Sequence, residues 1–124
     1  MEAYESEVES WVCGEALIRY GIFSIKIKSA QENGYPDRQF LIRGGVPLFI
    51  EFKRPGEEPE PYQKLIHERL RYAGYEVQVH SNREEALQAI KAAMEAGKDA
   101  ADRRRMAGPT KRGGAAVRPR KRKD

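Results

Sequence analysis

Apolar positions along the chain follow two periods, and the changes from one to the other mark its elements. From about Glu5 to Tyr20, Val8, Val12 and Ala16 recur at helical spacing with Trp11 beside them, and Gly21 follows as a stop. From Ile22 to Lys28 the pattern alternates as a half-buried strand does, with Phe23, Ile25 and Ile27 on one face and Ser24, Lys26 and Lys28 on the other. A polar loop over Ser29 to Gly34 leads to a second strand from about Asp37 to Arg43. Gly44-Gly45 supplies the positive φ angles of a tight hairpin turn into a third strand, Val46 to Lys53.

Beyond Arg54 the segment Pro55-Gly56-Glu57-Glu58-Pro59-Glu60-Pro61 breaks regular structure, and Pro61 is placed to open a helix. Tyr62, Leu65, Ile66, Arg69, Leu70 and Ala73 mark that helix, and Gly74 ends it. Val77 and Val79 alternate within a fourth strand, Tyr75 to His80. Ser81 and Glu84 have capping-box spacing, ahead of a last helix whose stripe is Ala86, Leu87, Ile90, Ala93 and Met94 and whose stop is Gly97. A helix crossing over between the third and fourth strands makes the order αβββαβα. It predicts an α/β domain with a mixed central sheet flanked by helices.

Charge divides the chain. Residues 1–102 hold 13 Lys and Arg against 18 Asp and Glu, whereas residues 103–124 hold 10 against 1. The C-terminal segment has almost no apolar residue with which to offset its ordering entropy. The expected organisation is therefore a folded domain over residues 1–100 and a disordered basic tail over residues 101–124. Such an arm adds phosphate contacts and salt-sensitive affinity for nucleic acid, a solubilising tail being the alternative. A chain of 124 residues has room for one compact core, and a small core gains stability by pairing with a second copy. No apolar run approaches a membrane span, and the acidic N-terminal residues lack signal-peptide order, so a soluble intracellular protein is expected. Cys13 is the only cysteine, which excludes an intramolecular disulfide and a cysteine-based zinc site and points to a buried, inert thiol.

Candidate chemistry lies on the hairpin. In the third strand Val46, Leu48, Ile50 and Phe52 share one face and Pro47, Phe49, Glu51 and Lys53 the other, which sets a carboxylate beside an ammonium. At the end of so apolar a strand, a partly buried charge needs a partner or an ion. Pairing across Gly44-Gly45 brings Asp37 level with Glu51 and Lys53. Two carboxylates, a main-chain carbonyl such as that of Phe52, and water suit Mg²⁺, with Mn²⁺ as a substitute. A neighbouring lysine can hold and help deprotonate an attacking water, a combination that reads as phosphodiester hydrolysis. His67 and His80 form no ligand cluster with Cys13 and read as structural, while Trp11 and Tyr72 read as core packing.

The strings Gly34-Tyr35-Pro36-Asp37-Arg38, Leu48-Phe49-Ile50-Glu51-Phe52-Lys53-Arg54-Pro55-Gly56, Pro61-Tyr62-Gln63-Lys64 and Leu70-Arg71-Tyr72-Ala73-Gly74-Tyr75-Glu76-Val77 also resemble the VRR-NUC (virus-type replication-repair nuclease) domain. That domain belongs to the PD-(D/E)xK superfamily, and the resemblance runs from about Glu5 to Ala93. It implies a restriction-endonuclease-like αβββαβ core with an extra C-terminal helix. It also implies that Asp37 and Glu51 bind the metal, that Lys53 is the catalytic lysine and that Gln63 supports the site from its helix. The family's first-helix glutamate is best matched by Glu5, with Glu9 as a rival on the same face.

For Gln63, the residue pattern alone equally allows a solvent-facing or capping amide. Lys26, Arg54 and Lys64 are candidate DNA contacts, solvent exposure being the alternative for Lys26. Isolated domains of this kind resemble small viral, homodimeric enzymes that cleave branched DNA such as four-way Holliday junctions. The reading that follows is a Mg²⁺-dependent, structure-selective DNA endonuclease, cytoplasmic in a bacterial or phage-infected cell. A nicking or restriction-like endonuclease, and a catalytically idle DNA-binding subunit, are the alternatives.

Overall fold

The computed structural model describes residues 4–28 and 33–107. Its elements are α1 (Glu5–Tyr20), β1 (Ser24–Lys26), β2 (Arg38–Phe40), β3 (Leu48–Phe52), α2 (Pro61–Tyr72), β4 (Glu76–His80) and α3 (Arg83–Met106). The strands form one sheet in the order β1-β2-β3-β4, antiparallel up to β3 and parallel between β3 and β4, as the crossover through α2 requires. This is the mixed sheet that the sequence pattern predicts.

One face of the sheet carries the core. Val8, Val12 and Ala16 of α1 and Ala86, Leu87 and Ile90 of α3 close over Phe40, Leu48, Ile50 and Phe52. α1 ends where Gly21 takes a left-handed φ of 66°, its N–H donating to the Leu17 carbonyl and the following Ile22 N–H to the Ala16 carbonyl. α2 lies on the opposite face, against β4. Five-residue β3 is buried except at Phe49, because both of its faces are covered.

Several expectations are corrected. In β1 the alternation is right and the buried face is not: Ser24 pairs with buried Phe40, while Phe23 and Ile25 are 63% and 49% exposed. Among the described residues no helix covers this half of the second face, which leaves these apolar side chains exposed. α2 also presents a different stripe. Gln63 and His67 are buried, with Ile66 and Leu70 partly so, whereas Tyr62 and Leu65 are exposed. Tyr72, expected in the core, is 96% exposed. Trp11 does pack on the core, and the Arg83 guanidinium lies 4.7 Å from its ring centroid. Cys13 is only partly buried beside the same cluster.

The last helix departs most from its pattern. Its N-cap is Asn82 rather than Ser81, with the Asn82 side chain accepting from the Glu85 N–H at 2.9 Å. Gly97 does not stop it. A Cβ at Gly97 would sit 1.8 Å from the Arg43 carbonyl oxygen, so glycine is there to let the β2–β3 connection lie against the helix. α3 continues to Met106, taking in the first residues of the segment expected to be a disordered tail, and Arg104 donates to the Gly44 carbonyl at 2.7 Å. The rest of that tail, residues 108–124, lies outside the described residues, as do residues 29–32 of the polar loop. Among the described residues no helix is long and apolar enough to cross a membrane.

Candidate active site

The β2–β3 hairpin positions the acidic groups. Gly44 and Gly45 turn it with φ angles of 106° and 85°, and the resulting register pairs Phe40 with Leu48 and Arg38 with Ile50. Asp37, one residue before Arg38, is therefore level with Glu51. Its Oδ2 accepts from the Phe52 N–H at 2.7 Å. N–H and C=O of one strand residue leave on the same side, so this bond directs the Phe52 carbonyl to the same edge as Asp37.

Glu51 alternates with Ile50 and Phe52 and so points away from the core, toward α2. It is nonetheless only 1% exposed. Its Oε1 lies 2.8 Å from His67 Nε2. Its Oε2 lies 3.3 Å from Lys53 Nζ, within ion-pair range but not aligned for a hydrogen bond, so among the described residues this buried oxygen has no hydrogen-bond donor. Lys53 is held in turn by its own N–H, which donates to the His80 carbonyl of β4 at 2.9 Å.

Gln63 enters from the first turn of α2. Its Oε1 accepts from the Glu60 N–H at 2.7 Å while the Glu60 carboxylate accepts from the Gln63 N–H, a reciprocal capping box. With the carbonyl end so engaged, the amide presents its NH₂ elsewhere. Glu5, Asp37, Glu51, Phe52, Lys53 and Gln63 together line an open cleft of about 350 Å³, joined by Glu60 and Tyr62. All five candidate catalytic residues and the candidate carbonyl ligand thus meet in one place.

The two helix-one acids separate. Glu5 is on the cleft. Glu9 is buried outside its lining, and its Oε2 accepts from Arg38 Nε at 2.6 Å and Lys26 Nζ at 3.0 Å. Glu9 is thus used up by two cations of β1 and β2, and Lys26 is tied to an internal ion pair while its side chain stays 61% exposed. Arg54 and Lys64 are exposed and outside the cleft lining. Arg54 stacks 5.2 Å from the Tyr4 ring centroid, and Lys64 lies 3.5 Å from Glu58.

Negative charge in the cleft is poorly compensated. Burial pushes the Asp37 carboxyl up to about 6; the Phe52 N–H opposes this, and Glu9, Glu51 and Glu5 add to it. Among the described residues no three His, Cys, Asp or Glu side chains form a cluster able to hold an ion by themselves. Mg²⁺ does not need one, since it is commonly held by one or two carboxylates and keeps several waters. Two acids, one of them with a buried oxygen that accepts no hydrogen bond among the described residues, and one main-chain oxygen are hard donors that fit such an ion.

Sequence reasoning missed three residues here. The pattern does not single out Glu60 and Tyr62, which line the cleft, nor does it show that His67, which reads as structural, lies 2.8 Å from Glu51. The available signal was Gln63 and His67 four apart on one helical face, a polar stripe where an apolar one was sought.

A mixed sheet with a carboxylate at the start of β2 and a Glu-x-Lys at the end of β3, covered by helices on both faces, is the restriction-endonuclease-like α/β architecture. No protein-family model matches the chain. A phage protein named "Putative nuclease p44", from Acyrthosiphon pisum secondary endosymbiont phage 1, is 36% identical over 73 residues, spanning 59% of this chain and 77% of that protein. Two solved structures, described as a VRR_NUC domain and a VRR_NUC domain protein, superpose with TM-scores of 0.62 and 0.63 at 27% and 25% identity. The first match covers 72% of this chain and 97% of that one, the second 77% and 91%. The chain belongs to the VRR-NUC family of nucleases.

Proposed function

We propose that this protein is a Mg²⁺-dependent DNA endonuclease that hydrolyses phosphodiester bonds in branched DNA such as Holliday junctions, working as a homodimer. The observation that carries the reading is Glu51. This carboxylate is 1% exposed, and among the described residues its Oε2 meets no hydrogen-bond donor and only the Lys53 ammonium at 3.3 Å, so a metal cation would complete it, with Asp37 bordering the same cleft. Asp37, Glu51 and the Phe52 carbonyl are the ligands in this reading, with Mn²⁺ able to replace Mg²⁺. When bound, the ion supplies Lewis-acid stabilisation of charge on the scissile phosphate and its leaving oxygen.

The chain's own groups do the rest. Lys53, its ammonium kept near the site by Glu51, donates to the attacking water and orients it, and its positive charge stabilises the hydroxide that forms as the water passes its proton to solvent. The Gln63 NH₂, freed by the capping box, donates to an oxygen of the substrate or of the attacking water. Glu5 completes the acidic rim from α1. Arg54 and Lys64 are exposed cations that can meet the phosphate backbone, Lys26 could do so only by sharing or leaving its ion pair with Glu9, and the basic C-terminal segment adds further counterion release.

Two cuts in a symmetric junction call for two active sites related by a two-fold axis. Phe23, Ile25 and Leu41 form a contiguous exposed apolar strip on the uncovered half of the sheet, and they offer a second copy an apolar face. The functional test incubates purified protein with labelled four-way junction, splayed, linear duplex and single-stranded DNA, each with Mg²⁺, Mn²⁺ or EDTA. Preferential cleavage of the junction, abolished by EDTA, is expected. Equal cleavage of linear duplex would favour a nicking or restriction-like enzyme. Binding without cleavage under every condition would mark an idle DNA-binding subunit.

A further inference from the structure

The buried histidine of α2 has no part in the scheme above, although it touches the central acid. His67 is 2% exposed, and its Nε2 lies 2.8 Å from Glu51 Oε1. An ionised carboxylate has only lone pairs to offer, so the imidazole must donate through Nε2–H. Of the two Glu51 oxygens, one is therefore committed to α2. The other, Oε2, meets no hydrogen-bond donor among the described residues and is the one within 3.3 Å of the Lys53 ammonium, a cleft-lining group.

From this we infer that His67 is a positioning residue: it fixes the Glu51 carboxylate in one orientation, so that Oε2 alone faces the ion. The inference rests on the metal reading of the cleft and adds a residue to it. His67 stands one helical turn after Gln63, which anchors the start of α2 through its capping box. Successive turns of one helix face thus deliver the cleft-lining amide and the donor that orients the carboxylate. A partner that aligns a ligand in this way typically contributes 10–100-fold in metal affinity.

The test is Mn²⁺ binding by isothermal titration calorimetry on the full chain, with wild type, His67→Leu, His67→Gln and His67→Asn. Leucine keeps the bulk and removes the donor. The Gln amide nitrogen reaches about where Nε2 lies, whereas that of Asn stops short. His67→Leu and His67→Asn should bind Mn²⁺ about 10–100-fold more weakly, and His67→Gln should recover to within a few-fold of wild type. Cleavage by His67→Leu should return toward the wild-type rate at saturating Mn²⁺, since the lysine and the second acid are untouched.

A purely structural histidine would lower melting temperature in all three variants and leave Mn²⁺ affinity alike, which would overturn the inference. Gln binding no better than Asn would overturn it as well, and that comparison stands even if the leucine variant does not fold. Wild type that binds no Mn²⁺ would overturn the metal reading itself and this inference with it. Wild-type binding that the three substitutions leave unchanged would overturn the inference alone.

Discussion

Asp37 gives the account a signed dependence on pH. In the metal-free protein burial and three neighbouring acids raise its carboxyl from 3.8 to about 6, so the folded state holds this proton more tightly than the unfolded chain does. A raised pKa contributes stability that is fully present below pH 3.8 and is lost as pH climbs through about 6. The full shift corresponds to about 3 kcal/mol at 1.36 kcal/mol per pH unit. Because Asp37 is only partly buried, solvent screening reduces this to about 1–2 kcal/mol. For a chain of this size that is roughly 3–8 °C in melting temperature.

The assay is thermal unfolding in EDTA between pH 4 and pH 7.5, comparing wild type with Asp37→Asn. The carboxamide keeps an oxygen for the Phe52 N–H and never ionises, so the difference between the two curves isolates this one group. Wild type should lose stability relative to Asp37→Asn as pH rises from 4 to 6. Mg²⁺ or Mn²⁺ should then stabilise wild type more at pH 7.5 than at pH 5, because the ion competes with the proton. A difference curve that is flat, or that rises with pH, would refute the reasoning.

Other consequences are as specific. Lys53→Ala should lower cleavage by about 10²–10⁴-fold while DNA affinity, measured by fluorescence anisotropy, changes only a few-fold. Glu5→Gln and Glu9→Gln should separate function from folding: the first lowers cleavage with little effect on melting. The second strands Lys26 and Arg38 and costs about 1–3 kcal/mol by urea unfolding, with cleavage by the remaining folded protein largely kept. Gly97→Ala should destabilise by about 1–3 kcal/mol, because its Cβ would meet the Arg43 carbonyl; a melting temperature equal to wild type would contradict the close approach. Ile25→Asp should shift any homodimer toward monomer in light scattering.

The reach of the sequence follows from where its periods stay pure. Strand alternation and the Gly44-Gly45 turn were enough to put Asp37 opposite Glu51, because the side-chain period of two leaves no slack in register. The α1 stripe of Val8, Val12 and Ala16 was legible for the same reason. The pattern failed where tertiary contacts override it. Gln63 and His67 point inward because they meet polar groups, so the apolar residues of α2 mark the wrong face. Gly97 looked like a helix stop and is instead a point of close approach to the Arg43 carbonyl. The apolar side of β1 faces outward, since a face is buried only when something covers it, and no single-chain periodicity reports that. The choice between Glu5 and Glu9 could not be made on α1 alone, as it depends on Lys26 and Arg38 from two other elements.

The central claim is that the acids of β2 and β3 share one divalent ion next to Lys53. The most direct measurement is anomalous diffraction from crystals soaked in Mn²⁺ near pH 7.5. A single strong peak within roughly 2 Å of both an Asp37 carboxylate oxygen and Glu51 Oε2 is the predicted result. No peak between those two side chains, or a peak on surface carboxylates only, would contradict it.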